Sequence, residues 1–264
     1  MTWFKRHKQL TWLLPMLAAV MFVTAATPTY RIEIGTLYQW GQLVLVGDLS
    51  IPIAAGSTDA QINALIDAAP HQISAGANLS FDFADDVYVN IADTLLWDGF
   101  GGLGTLRIRG NTGESGLHTN QGVDLDCDST NMHVLRFDNI SCKLEISNIK
   151  VRVIDGYRGI LIFDNDICDV DIRGCYVVGT GTALNGYGYF CGGSCKALVY
   201  NSYVSNIKYG IASLSGAILR QHTNASTGTD PTYGLNAAEG GILSKVGGTA
   251  PGGAESTATG GVIR

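Results

Sequence analysis

The chain has 264 residues, a formal net charge of −6 and 46% hydrophobic residues. That length suits a single all-β domain, and 34 glycines with only 15% charged residues favour a turn-rich fold over a disordered chain. The 17 basic residues form no stripe with interleaved aromatics, so we expect no nucleic-acid partner.

Residues 1–34 are predicted to be a separate hydrophobic segment. A basic cluster at positions 5–8 precedes an apolar run from Leu10 to about Thr27, and small residues close that run. The pattern is typical of a signal peptide cleaved near residue 26. Roughly 18 apolar residues are also close to the minimum for a membrane span. A third interpretation is a hydrophobic anchor that packs into a larger assembly, and the sequence leaves all three open.

Residues 35–78 are predicted to contain a linker and a short capping helix that starts at an N-cap serine, Ser57. Apolar residues recur at helical spacing up to a proline, at Ile62, Leu65, Ile66, Ala69 and Pro70. The end of a coil of strands offers unpaired backbone groups and an apolar surface. We therefore expect this helix to cover the end of the domain that follows.

An internal repeat dominates residues 79–264. Five residues recur 26 positions later: Phe137, Cys142, Leu144, Ile146 and Val151 recur as Phe163, Cys168, Val170, Ile172 and Val177. A third copy follows 27 positions further on, with Phe190, Cys195, Ala197, Val199 and Val204. Shorter coils with a period of 24 continue the pattern, pairing Tyr209 with Tyr233 and Ile218 with Ile242.

Each copy of the repeat alternates apolar and polar residues, which is the pattern of a half-buried strand. No helical pattern lies between the copies, so successive strands can be parallel only if the chain winds continuously, with like residues stacked about 4.8 Å apart. The sequence therefore predicts an all-β fold, a single-stranded right-handed parallel β-helix or solenoid.

The six cysteines fit this repeat better than they fit a metal site. Cys142, Cys168 and Cys195 fall in one column, which predicts a ladder of reduced, buried thiols. The segment Cys191-Gly-Gly-Ser-Cys195 has ligand-like spacing, but the second pair that a zinc site needs is absent from the sequence. We expect neither a metal nor a cofactor.

The order of these elements resembles the pectate-lyase-like right-handed parallel β-helix of phage and prophage tail proteins. The resemblance is carried by the helix and proline before an alternating strand, by the coil Gly104-Thr-Leu-Arg-Ile-Arg-Gly110, and by the glycine-rich ending at residues 233–251 and 260–263. It implies a structural virion component of the tail fibre, tailspike or baseplate type, commonly a homotrimer. Such a protein would join other virion proteins through residues 1–34 and contact host surface polysaccharide. The hydrophobic start departs from that pattern, and it leaves a secreted or cell-envelope location as the alternative to the virion tail.

Acidic residues are the first place to look for chemistry. Asp124, Asp126 and Asp128 alternate with apolar residues, so their carboxylates share one outer face. They could hold calcium or supply an acid pair for glycoside cleavage, and the simpler interpretation is a solvated strand face. No catalytic constellation is evident in the sequence. For this reason an enzyme is only an alternative to the structural virion component. It would be a polysaccharide-degrading enzyme, either a glycoside hydrolase or a polysaccharide lyase, and an envelope adhesin is a further alternative.

Tyrosines beside glycines are the second candidate feature. The residues concerned are Tyr157, Tyr187, Tyr189, Tyr209 and Tyr233. At exposed coil corners these rings could stack on the sugars of a polysaccharide. The alternative is that they pack against the turns, where glycine permits the bend.

Overall fold

The computed structural model describes residues 36–39, 42–84, 88–110, 123–127, 133–153, 157–165, 169–180, 186–226, 229–247 and 249–264. The hydrophobic segment 1–34 lies outside these ranges, so its three interpretations remain predictions. Within the described ranges, no helix is long and apolar enough to cross a membrane.

The described residues form strands and one short helix, α1, which lies between the third and fourth strands at Asp59–Ala68. The strands in chain order are β1 (Thr36–Gln39), β2 (Gln42–Leu45), β3 (Leu49–Ile53), β4 (Gln72–Ile73), β5 (Asn78–Phe83), β6 (Tyr88–Ile91), β7 (Leu95–Asp98), β8 (Gly101–Gly102), β9 (Thr105–Arg109), β10 (Val123–Cys127), β11 (Leu135–Asp138), β12 (Lys143–Ser147), β13 (Ile149–Val153), β14 (Arg158–Asn165), β15 (Asp169–Arg173), β16 (Tyr176–Gly179), β17 (Tyr187–Gly193), β18 (Lys196–Tyr200), β19 (Tyr203–Ser205), β20 (Tyr209–Ser213), β21 (Ile218–His222), β22 (Ala225–Ser226), β23 (Tyr233–Ala238), β24 (Ile242–Lys245), β25 (Ala254–Ala258) and β26 (Val262–Ile263).

Three parallel sheets form the walls of a solenoid. Among the described strands, sheet I has nine in the order β3-β5-β9-β12-β15-β18-β21-β24-β26. Sheet II has the order β6-β10-β13-β16-β19-β22, and sheet III the order β7-β11-β14-β17-β20-β23-β25. The chain visits sheets I, II and III in turn, and each strand pairs in parallel with the equivalent strand of the next coil. The predicted parallel β-solenoid is therefore confirmed.

A small fourth sheet lies at the N-terminal end of the described chain, in the order β1-β2-β4-β8. Its β1 and β2 pair antiparallel, whereas β4 pairs in parallel with both β2 and β8. Sheet I also starts early, because β3 pairs in parallel with β5. Strand pairing thus extends into residues 35–78, for which the sequence predicts a linker and a helix.

The strand register confirms the apolar columns of sheets I and II. Three aligned sets stack on successive coils: Leu144 with Val170 and Ala197, Ile146 with Ile172 and Val199, and Val151 with Val177 and Val204. These side chains are buried, each with at most 4% of its surface exposed. Fully burying one aliphatic side chain contributes about 1.5–3 kcal/mol, so the stacked columns are the main source of stability.

The predicted phenylalanine column is wrong. In sheet III, Phe137 pairs with Ile162, and Phe163 pairs with Asp138. Phe190 pairs with Leu161, and the register shifts after Ile162. The physical reason is that turns between sheets differ in length from coil to coil. A constant period in sheet I therefore does not carry over to sheet III, where the register is set by local backbone pairing.

Helix α1 begins one residue later than predicted, at N-cap Thr58 rather than Ser57. The Thr58 hydroxyl accepts a hydrogen bond from the backbone N–H of Gln61 at 3.2 Å, and the Gln61 side chain accepts one from the backbone N–H of Thr58 at 2.9 Å. This reciprocal capping box requires a hydroxyl three residues before a glutamine, and Ser57 is one position too early for that. Ile62 and Ile66 are buried against the solenoid.

Polar side chains of α1 complete the N-terminal edge of sheet III. The Asp59 carboxylate accepts hydrogen bonds from the backbone N–H groups of Ala92 and Asp93, at 2.9 and 2.7 Å. The Asn63 amide donates to the carbonyl of Thr94 at 3.0 Å and accepts from the N–H of Leu96 at 3.2 Å. Because β7 is the terminal one of the described strands of its sheet, these bonds give partners to backbone groups that face no neighbouring strand.

The predicted ladder of reduced cysteines is wrong at Cys195, which forms a disulfide with Cys191. Strand β17 ends at Gly193, which has a φ of 75°, and a turn at Ser194 separates it from Cys195. Cys142 is a buried free thiol as predicted, and Cys168 lies outside the described residues. Burial raises the pKa of the Cys142 thiol to about 11.

Candidate functional site

Three of the predicted tyrosines form a continuous stack along sheet III. Tyr187, Tyr209 and Tyr233 are register partners at the starts of β17, β20 and β23. The ring centroids of Tyr187 and Tyr209 are 4.5 Å apart, and those of Tyr209 and Tyr233 are 5.3 Å apart, with planes inclined by 16° and 14°. Both faces of the Tyr209 ring are therefore covered by its neighbours.

The glycine that follows each stacked tyrosine is required for close packing. A Cβ atom on Gly188 would lie 2.5 Å from the carbonyl oxygen of Gly210 and 2.8 Å from the Val204 side chain. A Cβ atom on Gly210 would lie 2.7 Å from the carbonyl oxygen of Gly234. Neither contact is possible for a larger residue, so the repeated Tyr-Gly pairs are explained by packing of one coil on the next.

Tyr189 and Tyr157 do not belong to the stack. The expected exposure of Tyr189 is wrong, because the side chain is only 1% exposed and its hydroxyl donates to backbone carbonyls of Cys175 and Tyr203. Tyr189 lies in the core although Tyr187, two residues earlier on the same strand, is half-buried. Tyr157 is half-buried beside His133, with ring centroids 6.1 Å apart. Carbohydrate contact by the remaining tyrosines stays a prediction.

A small apolar cluster covers the outer face of sheet III beside the stack. Leu161, Phe190 and Ala212 are buried there, and Tyr187 packs against them edge-on to Phe190. The Arg158 guanidinium lies over the Phe190 ring, with its carbon 4.0 Å from the centroid. Burial lowers the pKa of Arg158. The outer face of sheet III is thus largely occupied by its own packing.

His133 lies beside this guanidinium in the neutral form. Its Nε2 is 3.4 Å from an Arg158 nitrogen, and since a guanidinium can only donate, Nε2 is the acceptor. Burial lowers the pKa of His133 to about 4, with the positive charges of Arg158 and Arg136 adding to the effect. The imidazole is therefore uncharged at neutral pH and acts as a packing and hydrogen-bonding group.

The predicted aspartate triad falls mostly outside what the structure describes. Asp128 and the side chain of Asp124 lie outside the described residues, whereas Asp126 is half-buried on β10. Within the described part of the chain, no group of three or more histidine, cysteine or acidic side chains is arranged to hold a metal ion. The calcium and acid-pair interpretations of these three residues therefore remain predictions.

The outer face of sheet I carries a ladder of ion pairs towards its N-terminal end. Glu145 accepts from Arg107 at 2.8 Å and from Lys143 at 2.7 Å, and Lys143 also lies 3.2 Å from Asp171. Burial acts to raise the pKa of Glu145, but the hydrogen bonds from Lys143 and Arg107 outweigh it and hold that pKa below its ordinary value. These residues form a mixed-charge face on the outside of sheet I.

A groove of about 710 Å³ lies on the same face and shares Lys143 and Asp171 with the ion pairs. Its lining combines cations, acids, aliphatic groups and one tyrosine: Lys143, Asp169, Asp171, Lys196, Leu198, Tyr200, Ile218, Arg220, His222 and Val246. Lys196 and Arg220 are exposed, and neither forms an ion pair with another described residue. The Tyr200 ring is half-exposed, with the Arg173 guanidinium carbon 5.9 Å from its centroid.

The sequence signal for this groove is weak, and our sequence analysis missed it. Tyr200 and His222 lie 22 positions apart, yet they are direct register partners on β18 and β21. Neither the period of 26 or 27 nor the period of 24 reproduces this spacing, and an alignment at 24 would place Tyr200 beside Asn224. Tyr200, which lines the groove, is not followed by a glycine, so it was not among the tyrosines selected from Tyr-Gly pairs.

Comparisons of this chain with protein-family models, with curated proteins and with solved structures found no match. Functional inference therefore rests on the geometry of the solenoid and its surfaces.

Proposed function

We propose that this chain is a structural virion component, a β-solenoid arm of the tail fibre or baseplate type that contributes to recognition of polysaccharide on the host surface. The observation that carries the proposal is the groove on sheet I. It is an open concave surface in which charged side chains lie beside aliphatic groups and one tyrosine ring.

The lining of the groove suits a saccharide chain. The half-exposed Tyr200 ring offers a flat surface for a sugar, and Leu198 and Ile218 extend that apolar surface across neighbouring strands. The cations Lys196 and Arg220, which form no ion pair with a described residue, can bind hydroxyl or acidic groups of the sugar. Because adjacent strands lie about 4.8 Å apart, a groove that crosses several strands can hold several sugar units.

The scaffold suits a rigid arm. Its buried columns continue from coil to coil, and helix α1 covers one end of sheet III through Asp59 and Asn63. A solenoid of this kind holds an extended surface in place without hinges, since each coil packs on its neighbours. The resemblance to phage tail proteins supplies the virion setting.

Two measurements test the proposal. Mass spectrometry of purified particles should find the chain in the virion, and the full-length protein should bind polysaccharide extracted from the host surface. We expect Tyr200→Ala and Lys196→Gln each to weaken that binding about tenfold. A stacked ring contributes about 0.5–1.5 kcal/mol and a hydrogen bond to a charged group about 1.5–3 kcal/mol, and about 1.4 kcal/mol corresponds to a factor of ten. Lys245→Gln is the matched control, because Lys245 is an exposed lysine of the same sheet that pairs with Glu255. Equal binding by all variants would exclude the groove.

Cleavage of the polysaccharide is the second candidate function. Asp169 and Asp171 both line the groove, and alternate residues of a strand lie about 6.6 Å apart, within the range that glycoside hydrolysis uses. Asp171 is paired with Lys143, whereas Asp169 forms no ion pair with a described residue. If the arm binds polysaccharide without cleaving it, incubation with the parent chain or with the Asp169→Asn variant should leave the length of the polysaccharide unchanged. Shortening by the parent that Asp169→Asn abolishes would establish an enzyme.

A further inference from the structure

Arg158, at the start of β14, is a half-buried cation that forms no ion pair with a described residue. Its guanidinium donates to the Nε2 atom of His133 at 3.4 Å, a long contact with a neutral group, and its own Nε atom is buried without a hydrogen-bond partner. A guanidinium carries five N–H donors and no acceptor. Because taking such a group out of water without a counter-ion is costly, an added anion would stabilise it.

The aromatic rings beside Arg158 do not use its hydrogen-bond donors. The guanidinium carbon lies 4.0 Å from the centroid of the Phe190 ring and 5.5 Å from that of Tyr187. An aromatic ring attracts the cation over the ring face, whereas the N–H groups point outward in the guanidinium plane. The Tyr187 phenol is not a counter-ion, because burial raises its pKa and keeps it uncharged at neutral pH. The rings therefore orient Arg158 and leave its N–H groups in need of an acceptor.

A second guanidinium, that of Arg136 on the neighbouring strand β11, lies close to Arg158. Burial lowers the pKa of Arg158, and the positive charge of Arg136 adds to the effect. The Nε and Nη2 atoms of Arg136 both contact the same oxygen of Asp138, Oδ2, at 2.7 and 2.6 Å. Within the described residues, two guanidiniums and one carboxylate leave one positive charge beside the neutral His133. We call these four residues the cationic cluster: His133, Arg136, Asp138 and Arg158.

Unpartnered polar atoms are concentrated in the cationic cluster. Four buried side-chain nitrogen or oxygen atoms of the described residues have no hydrogen-bond partner, and three of them are His133 Nδ1, Asp138 Oδ1 and Arg158 Nε. Buried polar groups are nearly always paired in folded proteins, so three such atoms in one place are expected of a site that a bound group completes. Solvent reaches the cluster at Arg136, whose side chain is 40% exposed, and at the half-buried Arg158.

We infer that the cationic cluster binds the carboxylate group of an organic acid, with Arg158 as the counter-ion. The planar fork of a guanidinium matches a carboxylate and can form two parallel hydrogen bonds with it. One negative charge balances the one positive charge. The second charge of a phosphate would be repelled by Asp138 and by the exposed Asp98, its register partner on β7. The ligand class is therefore an organic monocarboxylate, which includes acidic sugars as well as simple acids.

Saturation-transfer difference NMR on the full-length chain tests the site, with acetate and glucuronate as the probes. At constant ionic strength we expect both to bind with a Kd on the order of 1–10 mM. Acetamide has the shape of acetate without its charge and should not bind, and phosphate should not displace acetate. The inference is wrong if acetate does not bind, if acetamide binds as well as acetate does, or if phosphate displaces acetate as readily as glucuronate does.

Two variants with opposite expected effects separate binding from a structural role. Arg158→Lys keeps the charge and removes the fork, so it should weaken acetate binding about tenfold. Asp138→Asn removes the competing carboxylate and should tighten acetate binding severalfold, an effect that a purely structural cluster would not produce. Lys196→Gln removes one cation from sheet I and is the matched control, with the acetate affinity of the parent. Circular dichroism checks the fold, and if Arg158→Lys does not fold, Asp138→Asn decides. An unchanged acetate affinity in the folded variants would overturn the inference.

The carboxylate site shares no residue with the groove and goes beyond the proposed function, so the two can fail separately. Tyr200→Ala should weaken polysaccharide binding and leave acetate binding unchanged. If Tyr200→Ala keeps polysaccharide binding while Arg158→Lys loses acetate binding, the groove proposal fails and the carboxylate site stands. If Tyr200→Ala or Lys196→Gln abolishes acetate binding, the carboxylate binds in the groove and the inference about the cationic cluster is wrong.

Discussion

The side-chain oxygen of Asn63 accepts a hydrogen bond from the backbone N–H of Leu96 at 3.2 Å, although the two residues lie 33 positions apart. A helix residue thereby replaces the strand that β7 lacks on that side. The helix is a cap in the literal sense, because it supplies both the apolar cover and the hydrogen bonds that a further coil would have provided.

Removing that side chain should destabilise the N-terminal end of the solenoid. We expect Asn63→Ala to lower the free energy of unfolding by about 1–3 kcal/mol, because it leaves the N–H of Leu96 and the carbonyl of Thr94 without partners. Urea titration monitored by circular dichroism measures the change. Asp67→Ala, on the exposed side of the same helix, is the control and should change the free energy by less than about 0.5 kcal/mol. Similar losses for both variants would show that the edge bonds contribute nothing.

The tyrosine stack and the groove tyrosine should respond oppositely to truncation. Tyr209→Ala removes a ring that packs between two others, so it should cost about 1–3 kcal/mol of stability while leaving polysaccharide binding intact. Tyr200→Ala should weaken binding with little effect on stability. Thermal unfolding and a binding titration on both variants make the comparison. If Tyr209→Ala loses polysaccharide binding while its fold is retained, the saccharide site lies at the tyrosine stack and not at the groove.

The thiols should divide into two classes during alkylation. Burial raises the pKa of Cys142 to about 11 and that of Cys175 to about 12, so neither presents a thiolate in the native state. We expect both to resist iodoacetamide until the chain is unfolded. Cys191 and Cys195 should stay unlabelled after unfolding and react only once a reductant is added, because they are joined. Peptide mapping by mass spectrometry distinguishes the sites, and rapid native labelling of Cys175 would contradict its burial.

His133 should make stability fall in mild acid. Its pKa of about 4 in the folded chain lies below the ordinary value of 6.5, so the unfolded chain binds this proton more readily. Stability is therefore fully present above pH 6.5 and declines as the pH falls from 6.5 towards 4. Because the ring is only half-buried, we expect a loss of about 1–2 kcal/mol. His133→Asn should flatten the dependence of unfolding free energy on pH in that range. An unchanged slope in the variant would assign the acid sensitivity to other groups.

The period of the repeat determined much of the fold. Alternation along each copy decides which residues enter the core, and a constant shift between copies places Leu144 under Val170 and Ile146 under Ile172. Both follow from local chemistry, since side chains alternate along a strand and parallel pairing stacks like on like. The Tyr209 to Tyr233 pairing was predictable for the same reason.

Tertiary structure alone decided the features that depend on turns. Turn lengths set the register of sheet III independently of sheet I, which moved Phe137 away from Phe163. The burial of Tyr189 was likewise visible only in the folded chain. The same kind of local geometry joined Cys191 to Cys195. The features of the outer surfaces could not be predicted from the sequence for a related reason. The groove is made by residues a full coil apart, and a sequence pattern that identifies buried columns says little about which exposed side chains become neighbours.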